Sequence, residues 1–523
     1  MATNLHIIHR QNIGLDLRLR RGEHEVQNEV AHMLRHEVLP RLESLFDTLV
    51  KDGQILRIDK LEVDLGDFTT DRYQKEFPER VVEEVKSQLE QHVQAAFEVD
   101  TRERQFLSGA QSMAEALRHF LATGALPWWI PMEKGRNFEA TVVEALKKEP
   151  AAFRRQLAPL VENRQAVRRL SRQFSDTAIE AMIATFSPTL ARPVQWLENI
   201  LSETARSPAV LTELEARHPV IVREAVLRQV LRSLGREVGL KTVLKEIVKE
   251  AILDIPSPHR AALLPELARK IEKQGAKEIT PVLVLEALLQ YIRQWPVAHE
   301  GGAEKTEQKK DQKQTIGQTK EPKPSSAPET GPAAGAEEEK KPAETKRPEA
   351  ALSEQEALFI GNAGLVLLAP YLELFFEELE LQSSGQFRNE AVQERAVHLL
   401  QYLATGAEQP PEYELPLNKL LCGLPLDHPI EKHLGLEEKE KAEARQLLEA
   451  VIRNWPPLSG TSVEGLQQAF LQRDGKLYFD EYADNWILKV EPKTEDILLD
   501  RLPWGFGVVK LPWMAHLLQV EWR

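Results

Sequence analysis

The chain has 523 residues, of which 42% are hydrophobic, so it is too long for one core and two to four domains are expected. Its formal net charge of −14 argues against a protein that coats nucleic acid, because phosphate binding needs a basic surface. The single cysteine, Cys422, excludes an internal disulfide and a thiolate zinc site within one chain, and it fits a reducing compartment.

A small β-α-β-α module is predicted at the N-terminal end. Apolar residues alternate with polar ones from Ile13 to Leu19, which is typical of a half-buried strand. From Glu23 to about Val50 the apolar period becomes helical, and Pro40 is predicted to kink this helix or to start a second one. A strand over Leu56–Leu65 and a helix over Glu79–Phe97 complete the module.

The middle of the chain carries only helical patterns, broken by polar residues or prolines. The stretch that follows, 298–350, is rich in charged and small residues, and Ile316 is its only bulky aliphatic residue. Such a composition buries too little apolar surface to offset the entropy of ordering, so a disordered linker is predicted. The predicted helices of the middle region are Gln111–Ala122, Glu139–Lys148, Val210–Leu214, Val220–Leu234, Leu240–Leu253 and Thr280–Gln294.

The phrase Leu-Ala-Thr-Gly-Ala occurs twice, at residues 121–125 and 403–407. Each copy closes an amphipathic run, and proline follows within four residues. Glycine enters the left-handed backbone conformation without strain and therefore commonly ends a helix. Two helices are predicted to stop in the same way, at Gly124 and Gly406, which indicates duplicated architecture and not an active site.

A second compact unit of helices, ending in a sheet, is predicted after the linker. Its most apolar segment, from Leu365 to Phe376, is predicted to form a helix pair around Pro370. Further helices are predicted at Val397–Leu403, Leu417–Leu421 and Ala442–Trp455. Four short segments with turn residues between them predict a small antiparallel sheet, namely Lys476–Phe479, Trp486–Val490, Gly507–Leu511 and Leu517–Trp522.

The sequence therefore predicts an α+β protein that is mostly α-helical. Its expected regions are an α/β module at 1–100, a helical region at 101–297, a disordered linker at 298–350 and a C-terminal domain at 351–523. The polar N-terminus has no apolar signal core, and the longest apolar stretch is far shorter than a bilayer span. We expect a soluble cytoplasmic protein that does not insert into a membrane.

Residues that could carry chemistry occur without the partners that chemistry requires. His32 and His36 lie four apart on a predicted helix, as in some zinc sites, but they fall on its polar face. Asp59, Asp64 and Asp67 are interpreted as an exposed strand face and not as an acid–base pair. The cysteine lies in an apolar setting typical of an inert thiol, and no nucleophile elbow or phosphate loop is present. No catalytic residue, metal site or cofactor is expected.

Tryptophans cluster at segment ends near prolines. The favoured interpretation is that they fill the core under turns. The alternative is that they anchor a protein partner, since tryptophan dominates interface hot spots. On that alternative the candidate partner-docking residues are Trp128, Trp129, Trp455, Trp504, Trp513 and Trp522.

Ordered motifs at both ends of the chain resemble one known family. The N-terminal motifs are His6–Gln11 and Leu56–Gly66. The C-terminal motifs are Ala363–Tyr371, Glu394–Gly406, Leu417–Pro425, Asn454–Pro456, Thr461–Leu466 and Leu499–Gly505. This series resembles the contractile injection system tape measure protein family of phage-tail-like particles, and the resemblance skips the middle region and the linker.

The resemblance implies a structural protein that sets tube and sheath length during assembly through protein–protein contacts. It implies partners among the inner tube protein, the baseplate or hub proteins and the tube-terminating cap, with no nucleic acid. It places the protein in the cytoplasm during assembly and then in the tube lumen, with no enzyme activity and no cofactor. Drawn as one helix the chain would reach about 785 Å, and its compact ends shorten that reach.

Two alternatives stay open at this point. The protein could instead be an assembly chaperone or scaffold that is never incorporated into the particle. It could also be an enzyme carried as cargo, although the sequence lacks a nucleophile–base pair, a metal set and a phosphate loop.

Overall fold

In the computed structural model, helices dominate, and short strands form one five-stranded and two two-stranded sheets among the described residues. The predicted fold class, mostly α-helical with a smaller β component, is confirmed. The chain divides into two compact units, one of residues 1–122 and 126–160 and the other of residues 123–125 and 161–523. The structure describes residues 6–8, 11–16, 23–49, 54–58, 60–69, 72–98, 106–130, 137–205, 212–234, 238–253, 255, 257–278, 282–299 and 357–522.

The first unit is built around a long helix that continues through Pro40. A π-helical turn, Leu34–Val38, joins α1 and α2 directly before this proline, where the chain loses one backbone donor. The apolar face of this helix packs against Val81 and Val85 of α3. The elements of the unit are α1 Glu23–Met33, α2 Leu39–Leu49, β1 Gln54–Leu56, α3 Tyr73–Glu98, β2 Phe106–Ser108, α4 Gly109–Thr123, α5 Phe138–Lys148 and α6 Pro150–Leu157.

The strands of this unit differ in position from the prediction. Residues 11–16 form no strand and Ile13 is 43% exposed, because alternation alone supplies no pairing partner; residues 17–22 lie outside the described part. The second predicted strand, Leu56–Leu65, shares only Leu56 with the observed β1, which pairs with β2 in antiparallel register. Beyond β1, the burial of Leu61, Val63 and Leu65 alternates as predicted, but the segment is extended without a ladder.

The helical part of the second unit follows the predicted periodicity. Asn163 begins α7, since its side chain accepts a hydrogen bond from the Ala166 N–H at 3.0 Å. The predicted Leu240–Leu253 coincides with a helix. Val220–Leu234, except its last residue, and part of Val210–Leu214 fall in one longer helix, Thr212–Ser233. These helices are α7 Arg164–Gln173, α8 Asp176–Phe186, α9 Pro188–Ala205, α10 Thr212–Ser233, α11 Leu240–Leu253, α12 Ser257–Glu278 and α13 Val282–His299.

The predicted linker 298–350 lies outside the described residues, apart from 298 and 299 at the end of α13. The boundaries at 100, 297 and 350 therefore stay predictions. Among the described residues, none of the helices is long and apolar enough to cross a membrane.

The C-terminal part of the second unit, residues 357–522, combines helices with the predicted sheet. The apolar helix pair is a 3₁₀ turn, Ala363–Leu368, followed by α14. The remaining elements are α14 Ala369–Glu378, β4 Gln382–Ser383, β5 Gln386–Phe387, α15 Glu390–Thr405, α16 Pro416–Leu421, α17 Glu438–Asn454, α18 Val463–Leu466, and the sheet strands β3 Leu358–Ile360, β6 Gly475–Asp480, β7 Asn485–Val490, β8 Val508–Val509 and β9 Leu518–Glu521.

The five strands stand in the order β3-β6-β7-β9-β8. Three neighbouring pairs are antiparallel, whereas β7 and β9 are parallel, a pairing that the sequence did not indicate. One hydrophobic cluster joins the sheet to α14, α15 and α17, and all of its members lie between residues 358 and 522. This apolar core fixes the shape of the C-terminal part.

Candidate functional site

The four candidate docking tryptophans of the C-terminal part point their indole N–H groups inward. Trp455 is fully buried and donates to the Leu498 carbonyl at 3.2 Å, and Trp522 is 5% exposed and donates to Asp496 at 3.2 Å. Such rings offer almost no surface to a partner while the domain is folded, which matches the favoured interpretation. Trp504 and Trp513 are half-buried and donate to the carbonyls of Leu367 and Leu421.

Trp128 and Trp129 lie in the first unit as a half-buried pair. Their rings meet edge to face with centroids 5.8 Å apart, and the Arg57 guanidinium stands 4.2 Å above the Trp129 ring. Docking of a partner on Trp128, Trp129, Trp504 and Trp513 stays a prediction.

Among the described residues, those weighed for chemistry are exposed side chains or, in the case of Cys422, part of the apolar core. His32 and His36 are exposed with ring centroids 4.4 Å apart, and Asp64 is exposed and accepts the Gly66 N–H at 2.9 Å. Asp59 lies outside the described residues. Cys422 is fully buried, and burial raises the pKa of its thiol well above the ordinary value. Within the described part of the chain, no group of three or more His, Cys, Asp or Glu is arranged to hold a metal ion.

Both copies of the repeated phrase end a helix as predicted. Gly124 and Gly406 have φ angles of 81° and 74°, in the left-handed region. In each copy the threonine hydroxyl also accepts the N–H two residues later at 3.2 Å, from Ala125 and from Ala407. The same sequence thus builds the same local cap twice.

The surroundings of the two caps differ. A Cβ added to Gly406 would meet nothing within 4 Å, and this glycine borders a cleft of about 480 Å³. A Cβ added to Gly124 would lie 2.5 Å from Glu412 Oε1 and 3.2 Å from Arg169 Nη2. The first copy therefore adjoins a buried cluster of charged side chains at α7.

Three charged side chains meet there without solvent. Arg169 Nε donates to Glu412 Oε1 at 2.9 Å, and Lys419 Nζ donates to the same oxygen at 2.6 Å. All three side chains are at most 1% exposed. The Arg169 guanidinium also donates to the Asp427 carbonyl, and Lys419 donates to the Leu426 carbonyl at 2.8 Å. Burial lowers the pKa of Lys419, and the neighbouring Glu412 carboxylate opposes this shift.

A second ion pair lies one helical turn further along α7. Arg172 Nη1 donates to both carboxylate oxygens of Glu394, at 3.0 and 3.2 Å, and to the Pro429 carbonyl at 3.1 Å. His428 Nε2 lies 3.1 Å from the same carboxylate. Burial raises the pKa of Glu394, but the hydrogen bond from His428 and the charge of Arg172 outweigh it, so the pKa lies below its usual value.

Gln173 closes the contact at the end of α7. Its amide donates to the Ile430 carbonyl at 2.9 Å, and its oxygen accepts the Glu412 N–H at 2.9 Å. The partners in these bonds are 222 to 258 residues apart in sequence, on the two sides of the stretch 300–356. We call the contacts of Arg169, Arg172 and Gln173 with residues 394–431 the polar interface.

One feature of the sequence indicates the polar interface, but the prediction did not include it. Arg169 lies between Val167 and Leu170 on the buried face of α7, where a charged residue needs a paired partner. Which carboxylate pairs with it could not be inferred, because Glu412 lies 243 residues away.

Comparison with known proteins gives one match. The family model described as contractile injection system tape measure protein matches residues 5–522. No curated protein and no solved structure matches the chain.

Proposed function

Because the chain belongs to the contractile injection system tape measure protein family, we propose that it sets the length of the tube and sheath during assembly through protein–protein contacts. The observation that carries this proposal is the extent of the family match, which spans residues 5–522 and includes both sides of the polar interface. The proposed partners are the inner tube protein, the baseplate or hub proteins and the tube-terminating cap. The proposed location is the cytoplasm during assembly and the tube lumen afterwards.

The geometry supports a protein that acts by binding other subunits through a folded surface. Residues 357–522 share one continuous apolar core, so this part keeps its surface while it binds other subunits. Half-buried Trp504 and Trp513 are the proposed docking residues on this part, since large aromatic side chains dominate interface energies. The sequence-predicted linker 298–350 is the proposed spacer. The proposal involves no bond-making step and no cofactor.

A second candidate function is favoured by the polar interface. Contacts between residues as far apart as Arg169 and Glu412 hold the second unit folded back on itself, which suits an assembly scaffold that acts in its folded form. Mass spectrometry of purified particles separates the two candidates. Length control predicts the protein in the particle at a fixed copy number, and a scaffold that leaves predicts its absence.

Length control is tested by editing the spacer without touching a described element. Deleting Gly301–Ala350 or duplicating it changes the extended reach by at most roughly 165 Å, at ~3.3 Å per residue. We expect mean tube length, measured by electron microscopy, to fall with the deletion and rise with the duplication. A scrambled segment of the same length and composition is the control and should leave tube length unchanged. Uniform tubes of parental length from both edits would refute length control by this spacer.

A further inference from the structure

Some buried polar atoms of the polar interface lack a hydrogen-bond partner within the described part of the chain. Glu412 Oε2 and Arg172 Nε are buried atoms that find no hydrogen-bond partner among the described residues. A buried polar atom without a partner loses its hydration and gains nothing in return. The polar interface therefore holds its partners in a defined geometry. Opening it would let these two unpaired atoms form hydrogen bonds with water.

The free-energy cost of separating two contacting groups into water differs between charged and apolar groups. Charges that leave a buried ion pair recover the hydration they lost, which offsets much of their mutual attraction. Apolar side chains that separate expose surface, and that cost has no offset. A contact made of Arg169, Glu412 and Lys419 is thus suited to opening as a unit, whereas the cluster within residues 358–522 is not.

The closed state is also sterically specific. Gly124 lies so close to Glu412 and Arg169 that any side chain at this position would overlap them. Asn163 fixes the first turn of α7, and the helix presents Arg169, Arg172 and Gln173 along one side. The arrangement thus has a defined closed state and a physically accessible open one.

We propose that the polar interface is a releasable latch, which holds α7 on residues 394–431 in the free protein and opens, with both sides still folded, when the protein joins the growing tube. This inference rests on the proposed function, because a length-setting chain needs the reach that the closed interface denies it. With the latch closed, the distance between α7 and the C-terminal part is independent of the stretch 300–356.

A reducible cross-link can hold the latch shut. The Gln165 side chain lies against Asp427 at the edge of the interface: with its amide turned so that the nitrogen faces Asp427, it donates to the Asp427 carbonyl at 3.0 Å and to the Asp427 carboxylate at 2.8 Å. Gln165→Cys with Asp427→Cys, joined by a bis-maleimide that contains a disulfide, therefore connects the two sides. Cys422 is fully buried and is spared by the reagent. Far-UV circular dichroism and an unreactive Cys422 confirm that the linked protein is folded.

The control link lies on one side of the latch only. Arg168 and Glu224 form an ion pair at 3.4 Å between α7 and α10, so Arg168→Cys with Glu224→Cys takes the same reagent without bridging the interface. Both proteins are added to purified tube and baseplate proteins of the same system, and tubes are counted and measured by electron microscopy.

We expect the 165–427 link to abolish tube assembly, reduction of the link to restore it, and the 168–224 link to have no effect. Tubes of normal number and length from the 165–427 linked protein would overturn the latch. That outcome would leave length control standing, since length control is judged by the spacer edits in unlinked protein.

Discussion

Two sets of contacts position the C-terminal part of the second unit, and they differ in chemistry. Inside residues 358–522, apolar side chains from the sheet and the helices share one cluster. Between α7 and residues 394–431, the described contacts include ion pairs and hydrogen bonds to backbone groups. This difference in chemistry is the basis of the proposed latch.

The largest effect is expected in the apolar core. Trp455→Ala removes a fully buried ring that packs edge to face against Phe470, with ring centroids 4.7 Å apart, and such truncations cost about 3–5 kcal/mol. We expect the midpoint of thermal unfolding to fall and the thiol of Cys422 to react with a maleimide. Tyr482→Ala, at a fully exposed position, is the control and should change neither quantity.

The next effect is expected at the centre of the polar interface. Glu412→Gln leaves the charges of Arg169 and Lys419 buried without a counter-ion, which costs about 3–5 kcal/mol while the interface stays closed. We therefore expect this variant to open the interface. Energy transfer between dyes on Thr177→Cys and Gln446→Cys, both at exposed positions, should fall while Cys422 stays protected.

The matched control for this variant is Glu408→Gln. Glu408 pairs with Lys441 at 2.8 Å in a solvent-exposed setting, where an ion pair contributes at most about 1 kcal/mol. Energy transfer in this control should equal the parental value. Equal losses in Glu412→Gln and Glu408→Gln would contradict the assignment of the buried cluster as the closing contact.

The two repeated glycines give a smaller and better matched test. Gly124→Ala and Gly406→Ala both force a left-handed conformation on alanine, at about 1–2 kcal/mol each. Only the methyl group at position 124 meets Glu412 and Arg169. We expect both variants to lower the unfolding midpoint, and only Gly124→Ala to reduce energy transfer across the interface. Identical behaviour of the two variants would contradict the different surroundings of the caps.

The smallest effect is expected from pH. Glu394 has a pKa lowered from 4.5 and faces Arg172 and His428, and His428 also pairs with Glu390. A carboxylate with a lowered folded-state pKa stabilises fully above its unfolded value, and this contribution is lost as pH falls through the lowered pKa. Energy transfer should therefore decrease below about pH 4.5, and Glu394→Gln should remove this part of the pH dependence.

Much of the helical structure could be predicted from local sequence patterns, because helix periodicity and caps depend on residues close in sequence. The stops at Gly124 and Gly406 and the helix Leu240–Leu253 were predicted from such patterns. The strand at Ile13–Leu19 was not found over residues 13–16, because a strand also needs a partner, and pairing is a property of the fold. The parallel pairing of β7 with β9 was unforeseen for the same reason.

The polar interface could not be derived from sequence because its partners lie hundreds of residues apart. The position of Arg169 within the apolar face of α7 indicates a buried charge, but it does not identify Glu412 as the partner. For the tryptophans, the sequence allowed two interpretations and could not decide between them. Their position near turns suited both core and docking, and the burial of Trp455 and Trp522 in the structure shows that these two belong to the core.

The most direct measurement follows two signals on one sample during a urea titration. Energy transfer between positions 177 and 446 reports closure of the polar interface, and the reactivity of Cys422 reports the apolar core. If the interface is a latch, energy transfer is lost at a lower urea concentration than the one at which Cys422 becomes reactive. Coincident midpoints for the two signals would show a single cooperative unit and contradict the latch.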